Sequence, residues 1–166
     1  DAKRSVQAIA RSAHRAYLAI DGPEIEVLKI EKETSFPYKA KGLISEGVLN
    51  TSGGHAIGVA TPEDTAQLYT LAVAQGENGL GIYDLSRSDI LNLKSNISDI
   101  GYVNTVAIGG GHIFAGAGNI VKIFDLKTQK NIGTIDIGEI WGLKVKDNLL
   151  YVASGEEGVK IFDISN

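Results

Sequence analysis

One short phrase, written several times over, constrains this chain more than any other feature. Its clearest copy is Leu149-Leu150-Tyr151-Val152-Ala153-Ser154-Gly155-Glu156-Glu157-Gly158-Val159-Lys160-Ile161-Phe162-Asp163-Ile164. This reads as two short strands joined by a Gly-flanked acidic turn and closed by an apolar-apolar-Asp ending. His112-Ile113-Phe114-Ala115-Gly116-Ala117-Gly118-Asn119-Ile120-Val121-Lys122-Ile123-Phe124-Asp125-Leu126 repeats it. Residues 68–85 repeat it with a longer turn, Gly76-Glu77-Asn78-Gly79, and residues 16–30 are a faded first copy.

The closing aspartates Asp84, Asp125 and Asp163 recur roughly every 40 residues, and Lys29 holds the corresponding place in the first copy. Repeats of that period are either helical solenoids or propeller blades. Apolar residues here alternate, as in Val121, Ile123 and Val159, Ile161, and no amphipathic helix is legible after Asp21. Each copy also has a preceding strand: residues 5–10, 55–60, 104–109 and 141–146. Their small members (Ala8, Ala56, Gly58, Ala107, Gly142) suit a crowded position beside a central axis. A fourth strand is clearest at residues 131–137. The expected fold is therefore all-β: a β-propeller of four tandem blades (approximately 5–50, 54–102, 104–139 and 141–166) in one domain, with another β-sandwich or barrel as the alternative.

Leu150-Tyr151-Val152-Ala153, Leu68-Tyr69 after Thr61-Pro62-Glu63-Asp64, and the run from Val121 to Gly138 resemble YVTN-type and LVIVD-type propeller repeats. The resemblance covers most of residues 50–166 and, more loosely, 5–49. It implies secreted or cell-surface proteins of bacteria and archaea, mostly scaffolds of about seven blades. The first copy departs from the pattern, with Lys29 at the closing position and Phe36-Pro37-Tyr38 leading into an irregular connection up to Asn50.

The last copy stops after its third strand, and the residues ahead of Ser5 are too few to supply a fourth from the other end. An uncovered strand edge invites pairing. The expectation is an incomplete last blade: the 166 residues belong to a larger propeller, or another chain or a second copy pairs at the open edge, with a monomeric four-bladed ring whose last blade is short as the alternative. A chain beginning at Asp1 rather than Met fits processing, fragmentation or a partial gene product.

Composition narrows the chemistry. With 43% hydrophobic and 22% charged residues the chain is foldable rather than disordered. A formal net charge of −4 argues against nucleic acid as partner, and the basic start (Lys3, Arg4, Arg11, Arg15) reads as solvated surface. There is no cysteine, which removes disulfides, thiolate sites and cysteine nucleophiles. No apolar run is long enough for a membrane-spanning helix.

Candidate sites follow from the repeat. Ser5, His55, Asn104 and Trp141 share one repeat position, where the inner strands begin, and Tyr102 and Glu139 lie beside it. His55, Tyr102, Asn104 and Trp141 are the candidate ligand- or partner-binding set, since loops of every blade converge at such a mouth. The turns between second and third strands carry Asp21, Glu24, Glu77, Glu156 and Glu157, an expected acidic rim that could attract a basic partner or Ca²⁺. No D-x-D-x-D-G loop supports a dedicated calcium site, and His14, His55 and His112 lack metal-ligand spacing. No catalytic residues or other cofactor are assigned. Gly109-Gly110-Gly111 leads into a strand, without the helix that makes a glycine loop hold phosphate. The closing aspartates read as acceptors for turn N–H groups. The function expected is a protein-binding or assembly module at the cell surface. The alternatives are a channel-mouth enzyme of lactonase or quinoprotein-like type, and a structural subunit of a surface layer or filament.

Overall fold

The computed structural model describes residues 5–12, 14–20, 22–32, 40–51, 53–63, 69–86 and 92–165. Four antiparallel sheets follow one another along the chain, each in sequential strand order. Blade 1 comprises β1 (Val6–Arg11), β2 (Arg15–Ile20), β3 (Glu24–Lys32) and β4 (Ala40–Asn50). Blade 2 comprises β5 (Gly58–Ala60), β6 (Thr70–Ala74), β7 (Leu80–Asp84) and β8 (Asn92–Ile97). Blade 3 comprises β9 (Val103–Gly109), β10 (His112–Ala117), β11 (Ile120–Asp125) and β12 (Asn131–Asp136). Blade 4 has three strands: β13 (Gly142–Lys146), β14 (Leu149–Ala153) and β15 (Val159–Asp163). The fold is the expected four-bladed propeller-like arrangement with a short last sheet.

The core lies between blades rather than within them. Tyr17, Ile25 and Val27 of blade 1 pack on Val59, Leu71 and Tyr83 of blade 2. Ala72, Leu80 and Ile82 then meet Val106, Ile113 and Phe124 of blade 3. Phe114 and Val121 in turn meet Val145, Leu150 and Val152 of blade 4. Alternation along each strand produces this: one face of a sheet looks back to the preceding blade and the other looks forward. Inner strands β1, β5, β9 and β13 stand side by side, which is why they carry small residues. A Cβ at Gly109 would lie 2.3 Å from Cγ1 of Val145 on the neighbouring inner strand. Gly110 and Gly111, both with positive φ, form the two-residue hairpin between β9 and β10.

The described part of the stretch read as an irregular connection up to Asn50 is instead strand β4, eleven residues long and paired with β3. Two register shifts explain why the pattern was hidden. Val27 and Leu28 face Gly47 and Ser45, so Glu46 bulges out; Glu31 and Lys32 face Gly42 and Ala40, so Lys41 does. Each extra residue flips the alternation, and the period-2 signal cancels across the strand. The bulged Glu46 forms an ion pair with Arg15, which lowers the glutamate pKa through that hydrogen bond. Phe36-Pro37-Tyr38 lies outside the described residues, as do Asp64 and Leu68.

Candidate functional site

Because strands alternate in direction, every inner strand begins at the end of the blade that carries the turn between second and third strands. The entries of β5, β9 and β13 are each tied to such a turn in the preceding blade. Thr51 N–H donates to Pro23 O (2.8 Å) and Ala56 N–H to Gly22 O (2.9 Å). Gly76 and Val103 exchange both of their N–H···O bonds, at 3.1 and 3.0 Å. Ile137 N–H donates to Asn119 O (3.0 Å) and Ile140 N–H to Gly118 O (3.2 Å). These bonds satisfy backbone groups that a plain loop would leave to solvent, and they fix what the entry end presents.

The candidate set sits at this end. His55 is exposed ahead of β5, Tyr102 precedes β9 and is 49% exposed, and Trp141 precedes β13 and is 65% exposed. Asn104, the second residue of β9, is half-buried. Its Nδ2 donates to Ile140 O at 2.7 Å, which anchors the backbone immediately before Trp141. Its Oδ1 is buried without a hydrogen-bond partner among the described residues. Trp141 N–H is bonded to Ala153 O (2.9 Å), so the indole stands on a fixed backbone. The ring of Tyr102 lies close over Gly76, which could not carry a Cβ without crowding it. Tyr102 and Trp141 are thus both exposed at the entry end.

The acidic turns lie at the same end. Glu77, Glu156 and Glu157 are exposed and Glu24 is half-buried at the start of β3, while Asp21 lies outside the described residues. Glu157 pairs with Lys160, whose Nζ also donates to Ile137 O (2.9 Å). Among the described residues no three His, Asp or Glu side chains group as a metal set. His14 and His112 are at the opposite end, His112 meeting Phe114 edge-on with centroids 6.1 Å apart.

A cavity of about 650 Å³ also lies at that opposite end, between the finishing halves of the four inner strands. Ile9, Val59 and Val106 give it an apolar wall, and Arg11, Glu63 and Lys144 give it charge. Glu63 bridges to Lys144 Nζ at 3.6 Å and to Lys146 Nζ at 3.4 Å, linking the loop after β5 to β13 across the channel. The proximity of Asp147, then Glu63, raises the Lys146 pKa. Sequence reasoning missed this group. The signal available was charge on inner strands that are mostly small and apolar: Arg11 ending β1, and Lys144 and Lys146 in β13.

The closing aspartates do the turn work expected of them. Asp84 Oδ1 accepts from Ser86 N–H (2.8 Å), Asp125 Oδ1 from Thr128 N–H and Oγ1–H (both 2.7 Å), and Asp163 Oδ1 from Ser165 N–H (2.9 Å). These hydrogen bonds hold all three carboxyls below the ordinary carboxylate range.

No helix among the described residues is long and apolar enough to cross a membrane. No protein-family profile matches the chain, and no curated protein matches it in sequence. Solved structures do match in fold. A chain of the "Crystal Structure of Mitotic Checkpoint Complex" superposes with TM-score 0.72 at 15% identity, over 95% of this chain and 49% of that one. The computationally designed Ika4 protein gives 0.70 at 14% identity, over 99% and 94%. The designed Ika8 protein gives 0.66 at 15% identity, over 96% and 46%. The chain thus spans about half the length of the first and third of these. The likeness establishes a β-propeller fold of repeated blades, a fold that commonly serves as a protein-binding module.

Proposed function

We propose that this chain is a protein-binding module that engages its partner through the entry end, with Trp141 and Tyr102 as aromatic contacts and His55 and Asn104 beside them. The observation that carries the reading is the exposure of two large aromatic residues at the starts of adjacent inner strands, on backbone fixed by hydrogen bonds. Such residues are enriched at the centres of protein interfaces, where a rigid ring gains contact area at little entropic cost. Exposed Glu77 and Glu156 on the same end favour a partner with basic groups at its rim. The outer edge of β15 offers a second place for another chain, by strand addition. The resemblance to YVTN and LVIVD repeats supports a secreted or cell-surface setting.

A photo-crosslinking residue placed at position 141, compared with one at position 127 on the opposite end, tests this in extract of the source cells. The expected result is one protein captured from 141 and not from 127. Trp141→Ala should weaken its binding about 30-fold, the ~2 kcal/mol of an aromatic anchor. Equal capture from both positions, or binding indifferent to Trp141→Ala and Tyr102→Ala, would overturn the reading.

A further inference from the structure

Counting back from the closing position, the third strand of each blade places two apolar residues on the face that looks forward to the next blade. These are Ile25 and Val27, Leu80 and Ile82, Val121 and Ile123, and Val159 and Ile161. The first two pairs are at most 3% exposed and Val121 is fully buried, whereas Val159 and Ile161 are 66% and 57% exposed. The second strand repeats the contrast: Tyr17, Ala72 and Phe114 are buried, and their counterpart Tyr151 is half-buried.

Blade 1 shows the mirror image on the face that looks backward. Ile9 corresponds to Val59 and Val106, which are buried, yet is 64% exposed. Leu18 corresponds to Val73 and Ala115, and Leu28 to Tyr83 and Phe124; both leucines are half-buried where their counterparts are enclosed. Leu43 and Val48 of β4, 59% and 44% exposed, extend the same face. No packing comparable to that between successive blades joins β13 to β1.

We propose that two copies of this chain close a ring of eight blades: the Tyr151, Val159 and Ile161 face of one copy packs on the Ile9, Leu18 and Leu28 face of the other, and reciprocally. The two exposed faces are the two halves of an interface that already recurs between successive blades within the chain. One two-fold rotation covers both at once and leaves neither over. Lys144 stands where the other inner strands carry Ala10, Ala60 and Ala107, and it reaches Glu63 across the channel. On blade 4 the new contact therefore rests on the second and third strands, β14 and β15. This arrangement leaves the entry end open and stands without the reading of Trp141 given above.

Sedimentation equilibrium of the 166-residue chain over a concentration series is the test. The expected mass is twice 17.6 kDa, falling to a single copy in Ile161→Asp and equally in Ile9→Asp. Both positions are exposed, so each variant should keep the circular dichroism of the parent; should Ile161→Asp unfold, Val159→Lys probes the same face. An equal mixture of Ile161→Asp and Ile9→Asp should recover association, because a mixed ring retains one unaltered interface. A parent that stays at one copy throughout, mass that grows beyond two copies, indifference to Ile161→Asp, or a mixture that stays dissociated would each overturn the proposal.

Discussion

Residues 121–125 and Val159–Asp163 are the same five amino acids, Val-Lys-Ile-Phe-Asp, in two surroundings. Both form third strands in the same register with a second strand: Phe124 faces Ile113 as Phe162 faces Leu150, and each ends in an aspartate that accepts from a turn N–H. Their burial differs. Val121 is fully enclosed between blades 3 and 4, and Val159 is 66% exposed. Phe124 is enclosed at 2% exposure, and Phe162 is half-buried. Local sequence therefore determines strand, register and turn, while neighbouring sheets determine how much each residue contributes to stability.

The two phenylalanines offer the largest test. Phe124→Ala should destabilise the fold by about 3–5 kcal/mol in urea unfolding, the usual range for truncating an enclosed aromatic residue. Phe162→Ala should cost roughly half as much, because part of that ring already meets water. Equal losses would mean that the last blade is as well enclosed as the third.

The valines give a smaller and more discriminating contrast. Val121→Ala should cost about 2 kcal/mol through lost burial and the space left behind. Val159→Ala should stay within about 0.5 kcal/mol in dilute solution. Its cost should rise with protein concentration if a second copy covers that face, because association then contributes to measured stability. A cost for Val159→Ala that is large and independent of concentration would break the comparison from the other side.

The aspartates should show the least difference. Hydrogen bonds from the Thr128 side chain and backbone lower the Asp125 pKa, and those from Ser165 lower that of Asp163. A depressed carboxyl pKa in the folded state favours folding above the unfolded value, near 3.9. That contribution is lost as pH falls through the folded value. Asp125→Asn and Asp163→Asn should therefore each shallow the loss of melting temperature on acidification below about pH 4, leaving the neutral limb nearly parallel to the parent. A variant whose acid limb matches the parent would show that its carboxylate is no better held folded than unfolded.

Much of this architecture was readable in advance because the repeat is written in residues that act locally. The Val-Lys-Ile-Phe-Asp strands, the glycine turns and the closing aspartates each do their work within a few positions. Strand β4 was not readable, because Lys41 and Glu46 bulge out and the alternation loses phase twice. The cavity at the finishing end was not readable either. Arg11, Glu63 and Lys144 come from three different blades, and only the ring geometry brings them to one space. At the entry end, Asn104 and Trp141 hold the same register position, three residues before Ala107 and Lys144, whereas His55, five before Ala60, falls at the position of Tyr102 rather than of Asn104. Their exposure depended on how the connecting segments dock, which no single repeat encodes.

The hydrogen bonds that tie β5, β9 and β13 to the turns before them also give the molecule a direction. A sheet is latched by its successor at the axis, so the middle two are gripped on both flanks and the outer two on one. Loosening should thus travel inward from the terminal sheets, and a covering at either extremity would tighten the whole series rather than one joint.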